Sequence, residues 1–177
     1  MRIISGKYKS RRIQVPANLK ARPTTDFAKE GLFNVLNNLL EWEDLTALDL
    51  FSGTGSIAFE LISRGASYVV SVEMNQSHYN FICRTQDQLG ARELFPIKRD
   101  VFKYLQHATQ RFDLIFADPP YDLPDLETIP ELIIGKELVN EGGFFIMEHS
   151  NKYDFSQLPH FRVLRHYGNV HFSIFSF

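Results

Sequence analysis

The sequence contains a single cysteine, Cys83, so no disulfide bond can form within the chain. A chain without disulfides suits a reducing compartment, and we expect a cytoplasmic location. The sequence also lacks a run of about 18 apolar residues, and residues 1–6 lack the apolar core of a signal peptide. We therefore expect neither secretion nor a membrane partner.

Metal-ligand spacing is also missing. The six histidines are scattered along the chain, and none of their spacings matches a metal motif, so no metal is expected. The 177 residues include 44% hydrophobic ones, enough for one domain with a full core. We found no repeat or linker, so we predict a single domain over residues 1–177 and expect a monomer.

Acidic residues are absent from the first 25 positions. Seven basic residues precede Asp26, whereas the remainder carries twelve basic and twenty-one acidic residues, for a net charge of −2. This asymmetry predicts a basic N-terminal arm over residues 1–25, a short β-hairpin of the same domain, that binds a polyanion. The alternative is a solvated surface hairpin. The predicted nucleic-acid contacts are Arg2, Lys7, Lys9, Arg11, Arg12 and Arg22.

The most informative stretch lies at residues 112–121. An apolar run at 112–115 is typical of a buried strand, and it continues into Asp118-Pro119-Pro120-Tyr121. Two prolines cannot continue a strand, so the strand must stop at Asp118. A carboxylate, two backbone carbonyls and an aromatic ring then lie at a strand's carboxyl end, where ligands bind in open α/β sheets.

This tetrad resembles the signature of enzymes that use S-adenosylmethionine to methylate an exocyclic amine. Such an amine is a poor nucleophile because its lone pair is delocalised into the ring. Asp118 and the carbonyl of Pro119 can accept its two N–H groups, and Tyr121 can stack on the base. Positioning would then supply most of the catalysis, without a metal. The alternative is a structural turn with an Asp cap and a core Tyr.

A glycine loop precedes this stretch. An apolar strand at residues 45–51 leads into Ser52-Gly53-Thr54-Gly55 and a helix at 57–64, a strand–loop–helix order typical of nucleotide-type ligands. A second strand at 67–72 ends at Glu73, which can accept both ribose hydroxyls; the alternative is a surface acid. Asp100 follows a third strand at 94–99 and can accept an adenine amino group or cap the helix at 101–107.

The remaining elements complete the fold prediction. A helix begins at Thr25 or Asp26, carries Phe27 on its apolar face and ends near Trp42. A fifth strand at 144–148 precedes a closing hairpin, 161–167 and 170–177, around Gly168-Asn169. Alternating strands and helices predict an α/β fold: a doubly wound, mostly parallel, Rossmann-like sheet of seven strands.

This order of elements resembles the class I S-adenosylmethionine-dependent methyltransferases. A closer resemblance, to the RsmD family, covers nearly the whole chain through residues 2–6, 22–26, 32–34, 49–55 and 118–121. Two departures are Ser5, where that family often has Gly, and residues 171–174, which lack its Arg-x-Tyr. The resemblance implies methylation of N2 of guanine 966 in bacterial 16S ribosomal RNA. The partner would be that RNA, the small ribosomal subunit or its assembly intermediate.

The resemblance also implies the site residues. The glycine loop would face the methionine part of S-adenosylmethionine, with Asp49 near its amino-acid group, Glu73 at the ribose and Asp100 at the adenine. The cofactor contacts so implied are Asp49, Phe51, Ser52, Gly53, Gly55, Glu73, Met74, Asp100 and Val101. The catalytic residues so implied are Asp118, Pro119, Pro120 and Tyr121.

Five other functions stay open at this point. A DNA adenine N6-methyltransferase uses the same tetrad but usually needs a further recognition region, and another RNA could be the target. In protein glutamine N5-methyltransferases the corresponding motif resembles Asn-Pro-Pro-Tyr, whereas this chain has Asp118 at its first position. A nicotinamide oxidoreductase would use Gly53, Gly55 and Glu73 but leaves the tetrad unexplained. A non-enzymatic RNA-binding module would not need Asp118.

Overall fold

The computed structural model describes residues 1–19 and 25–177 of the chain. Within these residues there are five helices and seven strands, which alternate from the first helix to the fifth strand. The helices are α1 (Asp26–Leu36), α2 (Ser56–Arg64), α3 (Gln76–Leu89), α4 (Val101–His107) and α5 (Thr128–Gly135). The strands are β1 (Thr46–Leu50), β2 (Tyr68–Glu73), β3 (Leu94–Lys98), β4 (Phe112–Ala117), β5 (Val139–His149), β6 (Phe161–Tyr167) and β7 (Val170–Ser176).

The strands form one sheet in the order β3-β2-β1-β4-β5-β7-β6. Strands β1 to β5 pair in parallel, and β7 pairs antiparallel with both β5 and β6. The sheet is therefore mixed, with β7 as its antiparallel strand. Four consecutive β7 residues, Phe172 to Phe175, are buried, whereas no residue of β6 is buried and four of its seven are exposed. This difference explains why β7 lies inside the sheet and β6 at its edge.

Helices cover both faces of the sheet, so both faces are buried. One core cluster contains Leu32 of α1, Phe59 of α2 and Ile82 of α3. The second contains Leu105 of α4 and Ile129 of α5. Burial on both faces explains why the central strands are continuously apolar in the sequence.

The predicted N-terminal hairpin arm is not confirmed. Among the described residues, residues 1–19 contain one isolated antiparallel bridge, between Arg2 and Arg12, and no strand. Gly6 has φ +80°, and a Cβ there would lie 1.6 Å from the carbonyl oxygen of Ser63. Lys7 N–H donates to the same oxygen at 2.7 Å. The segment therefore packs against α2, and backbone hydrogen bonds join residues 1–3 to residues 10–13 without forming a strand.

The carboxylate of Glu60 explains why strand pairing stops in this segment. It accepts the backbone N–H groups of Ile4 at 2.8 Å and Ser5 at 3.0 Å, so these donors cannot join a β-ladder. It also accepts from Arg64 Nε at 2.9 Å. Lys29 Nζ lies 3.6 Å away. Both Glu60 and Lys29 are almost completely buried, and burial lowers the pKa of Lys29 while Glu60 opposes that shift.

Helix α1 ends at Leu36, earlier than the predicted end near Trp42. The side chain of Asn38 donates to the carbonyl of Asn34 at 3.0 Å. The backbone N–H of Asn38 therefore donates to the carbonyl of Val35 and not to that of Asn34. This side chain thus competes with the helical hydrogen bond at that position. Phe27, predicted on the apolar face, is 68% exposed.

Removing the carboxylate of Glu60 should destabilise the fold strongly. We expect Glu60→Ala to lower the free energy of unfolding by about 3–5 kcal/mol, because Lys29 would stay buried without its counter-charge. Glu93→Ala is the matched control, since Glu93 pairs with Lys7 at an exposed position and its loss should cost less than about 1 kcal/mol. Urea unfolding measures both, and equal losses would contradict this role of Glu60.

Candidate active site at the carboxyl edge of the sheet

The candidate site lies where β1 and β4 end side by side. Ala117 pairs with Leu50, so the glycine loop after β1 and the Asp-Pro-Pro-Tyr tetrad after β4 are neighbours. From β1, the chain builds outward through β2 and β3 on one side and through β4 and β5 on the other. Such a switch point opens a crevice at the carboxyl edge of the sheet, where α/β proteins bind ligands.

The glycine loop turns sharply from β1 into α2. Phe51, Gly53 and Gly55 all have positive φ, at 60°, 54° and 77°. The N–H of Gly55 donates to the carbonyl of Ser52 at 2.7 Å. A Cβ at Gly55 would lie 2.9 Å from the ring of Phe59, so only glycine fits without rearrangement there. Ser52 is buried, and Phe51 is half-buried against the second core cluster.

Asp49 lies underneath this loop and is only 1% exposed. Its Oδ2 accepts the backbone N–H of Ala58, in the first turn of α2, at 3.2 Å. Burial raises the pKa of Asp49 to about 7, although hydrogen bonds from Ser52 and Ala58 offset part of the shift and the charge of Glu73 adds to it. A carboxylate of this chain thus already occupies the amino end of α2.

Glu73 connects the glycine loop to the end of β2. Its Oε2 accepts the N–H of Gly53 at 2.8 Å, and its Oε1 accepts the N–H of Asn75 at 2.7 Å. Glu73 is therefore buried, and the alternative of an exposed surface acid is wrong. Each carboxylate oxygen can accept a second hydrogen bond, so the predicted contact with a ribose stays a prediction.

Three further predicted cofactor residues lie after β2 and β3. Oδ1 of Asp100 accepts the N–H of Lys103 at 3.0 Å, which makes Asp100 the N-cap of α4 as the alternative had it; its adenine contact stays a prediction. Met74 is 67% exposed beside Glu73 and offers apolar surface at the crevice. Val101 is buried in the first turn of α4.

The tetrad leaves the sheet one residue earlier than predicted, since β4 ends at Ala117. The N–H of Asp118 donates to the carbonyl of Leu50 at 3.3 Å and makes the last contact with β1. Pro119 is buried and Pro120 is exposed. Leu123 N–H donates to the carbonyl of Pro120 at 2.9 Å. The tetrad therefore lies directly beside the glycine loop and leads into a turn that closes over residues 120–123.

Tyr121 is held at both ends by residues that the sequence analysis missed. Its hydroxyl donates to Oε1 of Glu148 at 3.2 Å, and its carbonyl accepts the hydroxyl of Tyr153 at 3.2 Å. Glu148 is buried near the end of β5. Glu73 was predicted because it is an acidic residue at the end of an apolar run. Glu148 also ends an apolar run, so the same signal could have identified it. Tyr153 gave no such signal.

The predicted nucleic-acid contacts of the N-terminal segment are exposed where the structure describes them. Arg2, Lys7, Lys9, Arg11 and Arg12 all lie on the surface. Arg2 lies 3.6 Å from Glu30, and Lys7 pairs with Glu93. Arg22 lies outside the described residues. Binding of nucleic acid by these side chains stays a prediction.

Residues 1–19 and 25–177 contain neither a metal-binding cluster nor a membrane-spanning helix. No group of three or more His, Cys, Asp or Glu side chains there could hold a metal ion. None of the helices described is long and apolar enough to cross a membrane.

His149 has a structural role. Its ring nitrogens lie 2.8 Å from the carbonyl of Ser150 and 2.7 Å from Oγ of Ser173, and burial lowers its pKa.

Comparison with known sequences gives a consistent set of relatives. The family described as "Conserved hypothetical protein 95" matches residues 1–176. Ribosomal RNA small subunit methyltransferase D of Buchnera aphidicola subsp. Baizongia pistaciae is 29% identical over 151 residues, which cover 85% of this chain and 76% of that protein. The Bacillus subtilis protein YlbH is 32% identical over 159 residues, which cover 86% and 84% of the two chains.

Two solved structures match nearly the whole chain. A hypothetical protein of Thermus thermophilus superposes with a TM-score of 0.87 at 26% identity, over all of this chain and 99% of the other. The Escherichia coli protein yhhF gives the same TM-score at 24% identity, over 99% and 97% of the two chains. The predicted α/β architecture is thus confirmed in outline, with the corrections to the sheet and the N-terminal segment described above.

The raised pKa of Asp49 predicts a specific dependence of stability on pH. Since the folded state holds this proton more tightly than the unfolded chain, Asp49 should make stability fall as pH rises from about 4 to about 7. We expect Asp49→Asn to flatten this fall by up to about 4 kcal/mol, because the amide still accepts the N–H of Ala58 but does not ionise.

Urea unfolding of both proteins at several pH values measures this difference. All other titrating groups are the same in the two proteins, so their contributions cancel in the comparison. Parallel stability curves for the two proteins would contradict the raised pKa of Asp49.

Proposed function

Because this chain belongs to the family described as "Conserved hypothetical protein 95", we propose that it transfers a methyl group from S-adenosylmethionine to N2 of a guanine in small-subunit ribosomal RNA. The observation that carries the proposal is the Asp-Pro-Pro-Tyr turn directly beside the glycine loop. The Buchnera relative, named as a small-subunit ribosomal RNA methyltransferase, supports the substrate.

The charges of the site suit a cationic cofactor. Acidic side chains lie at the ends of four adjacent strands: Glu73, Asp49, Asp118 and Glu148. S-adenosylmethionine supplies a methyl group already activated on a positively charged sulfonium, and it carries hydroxyl and amino donors. Glu73 and Asp100 would hold the ribose and the adenine, with Met74 against the adenine ring. The glycine loop and Asp49 would lie next to the amino-acid end.

The same contacts argue against a nicotinamide dinucleotide. A pyrophosphate needs unsatisfied N–H groups at the glycine loop and the following helix. Here the N–H of Gly53 is donated to Glu73, and the N–H of Ala58 is donated to Asp49. A pyrophosphate would therefore meet two carboxylates instead of donors, and the oxidoreductase alternative is disfavoured.

The tetrad would orient the target amine. Asp118 and the carbonyl of Pro119 would accept its two N–H groups, which directs the nitrogen lone pair away from the ring plane. The ring of Tyr121 would stack on the guanine, while Glu148 holds the hydroxyl of Tyr121 and Tyr153 holds its backbone carbonyl. Catalysis in this arrangement comes mainly from orientation.

The target base must leave its stack to reach Tyr121. The exposed cationic residues of the N-terminal segment, Arg2, Lys9, Arg11 and Arg12, would bind phosphates on either side. Such binding weakens as the salt concentration rises. A ribosomal substrate would require a cytoplasmic enzyme, in agreement with the composition.

Transfer of labelled methyl groups to a panel of substrates tests this function. The panel contains small ribosomal subunits, their free 16S RNA, large subunits and duplex DNA. We expect label only in small-subunit RNA, recovered as N2-methylguanosine. Asp118→Ala should reduce transfer at least 100-fold, an order of magnitude typical of lost positioning (about 3 kcal/mol). Binding of S-adenosylhomocysteine should barely change, because the partner of Asp118 is the target amine.

Other outcomes would contradict separate parts of the proposal. Label on DNA or on protein would overturn the substrate. Stabilisation of the protein by NAD but not by S-adenosylhomocysteine would overturn the cofactor. A large loss of cofactor affinity in Asp118→Ala would overturn the role of that carboxylate.

Glu148 should act as a positioning residue for Tyr121. We expect Glu148→Ala to lower kcat about tenfold, as for loss of one hydrogen bond to a charged acceptor. Glu148→Gln should keep most of the activity, because its amide oxygen can still accept the hydroxyl of Tyr121. Steady-state methyl transfer measures kcat and KM separately. A Gln variant as inactive as the Ala variant would show that charge, and not this hydrogen bond, matters.

A further inference from the structure

An aromatic pair, of which one ring is exposed and the other half-buried, lies at the end of β6. Phe27, in the first turn of α1, is 68% exposed. Its ring meets that of Tyr167 edge-to-face, with centroids 5.9 Å apart and an interplanar angle of 84°. Tyr167 is the last residue of β6. A large apolar side chain left in water at such a position marks a candidate binding surface.

This pair lies on the same edge of the sheet as the tetrad. Strand β7 is antiparallel to both β5 and β6, so β6 runs parallel to β4 and ends at the same edge. Strands β5 and β7 separate β6 from β4. At about 4.8 Å per strand, Tyr167 therefore lies roughly 14 Å along the edge from Asp118. A single RNA strand spans that distance with a few nucleotides.

The fold makes room for this pair. A Cβ on Gly31 would lie 2.2 Å from Cε1 of Tyr167, so glycine in α1 lets the ring of Tyr167 lie against the helix. A shallow, open cavity of about 510 Å³ lies beside the pair. Its lining residues are Phe27, Glu30, Gly31, Asn34, Val35, Asn38 and Tyr167.

Positive charge borders the cavity. Arg2 reaches over α1 and lies 3.6 Å from Glu30, one of the lining residues. The bridge between Arg2 and Arg12 brings a second exposed arginine to this side. Aromatic faces next to cationic side chains are the combination that binds single-stranded nucleic acid, through stacking and phosphate contacts.

We infer that Phe27 and Tyr167 form a stacking platform for an unpaired base of the RNA substrate, a few nucleotides from the target guanine. This inference rests on the proposed function and extends it. The platform would hold the strand while Tyr121 holds the target base. One aromatic stacking contact contributes enough to change RNA affinity about tenfold or more.

Phe27→Ala tests the platform. We expect KM for small ribosomal subunits and Kd for a single-stranded oligoribonucleotide to rise about tenfold, while kcat and S-adenosylhomocysteine affinity stay unchanged. The slope of the logarithm of RNA affinity against the logarithm of salt concentration should also stay unchanged, because stacking releases no counterions. Phe27→Trp should restore affinity. Since Phe27 is largely exposed, its replacement should leave folding intact.

Phe95→Ala is the matched control. Phe95 is 44% exposed and packs on Tyr68, with ring centroids 4.6 Å apart, but it lies early in β3, away from the carboxyl edge. Its replacement should leave RNA affinity unchanged.

Three results would overturn the inference. Unchanged KM and Kd in Phe27→Ala would show that no base stacks there. A higher KM for subunits with unchanged Kd for the oligoribonucleotide would show that the pair contacts protein. Equal effects of Phe27→Ala and Phe95→Ala would show a nonspecific loss. Absence of RNA methylation by the unchanged protein would instead overturn the proposed function, and this inference with it.

Discussion

The buried carboxylate of Glu60 is the interaction on which the arrangement of the N-terminal half depends. Its oxygens accept hydrogen bonds from Ile4, Ser5 and Arg64, and Lys29 supplies a second buried charge. A buried carboxylate without these partners would be very costly. The N-terminal segment, α1 and α2 must therefore take positions that satisfy Glu60. Those positions also set where Arg2 and Phe27 reach the carboxyl edge.

Buried carboxylates organise the candidate site by the same physical rule. Asp49 and Glu73 accept backbone N–H groups of the glycine loop, of α2 and of the residue that caps α3, and Glu148 accepts the hydroxyl of Tyr121. These contacts stiffen the loop and the tetrad before any ligand arrives. The carboxylates also place negative charge next to the crevice. The raised pKa of Asp49 reflects the free-energy cost of burying that charge. A cationic ligand would lower that cost, which couples stability of the site to its proposed cofactor.

The order of the last strands brings a further residue to the edge of the sheet that holds the candidate site. Because β7 inserts between β5 and β6, β6 runs parallel to β4 and brings Tyr167 to the same carboxyl edge. The N-terminal segment packs against α2 and presents its arginines nearby. The proposed RNA surface would thus combine this sheet edge with the first 13 residues.

Features set by neighbouring residues could be predicted from the sequence. The prolines after Asp118 end β4, and Gly53 and Gly55 permit the positive φ angles of the loop. Features set by distant residues could not. The contacts of Glu60 with Ile4 and Ser5 span 56 and 55 residues, and that of Tyr121 with Glu148 spans 27. Hydrophobic periodicity and turn chemistry report on local conformation, whereas the partner of a buried polar group is decided only when the chain packs. Tertiary structure therefore decided the packing of the N-terminal segment, the anchoring of Tyr121 and the meeting of Phe27 with Tyr167.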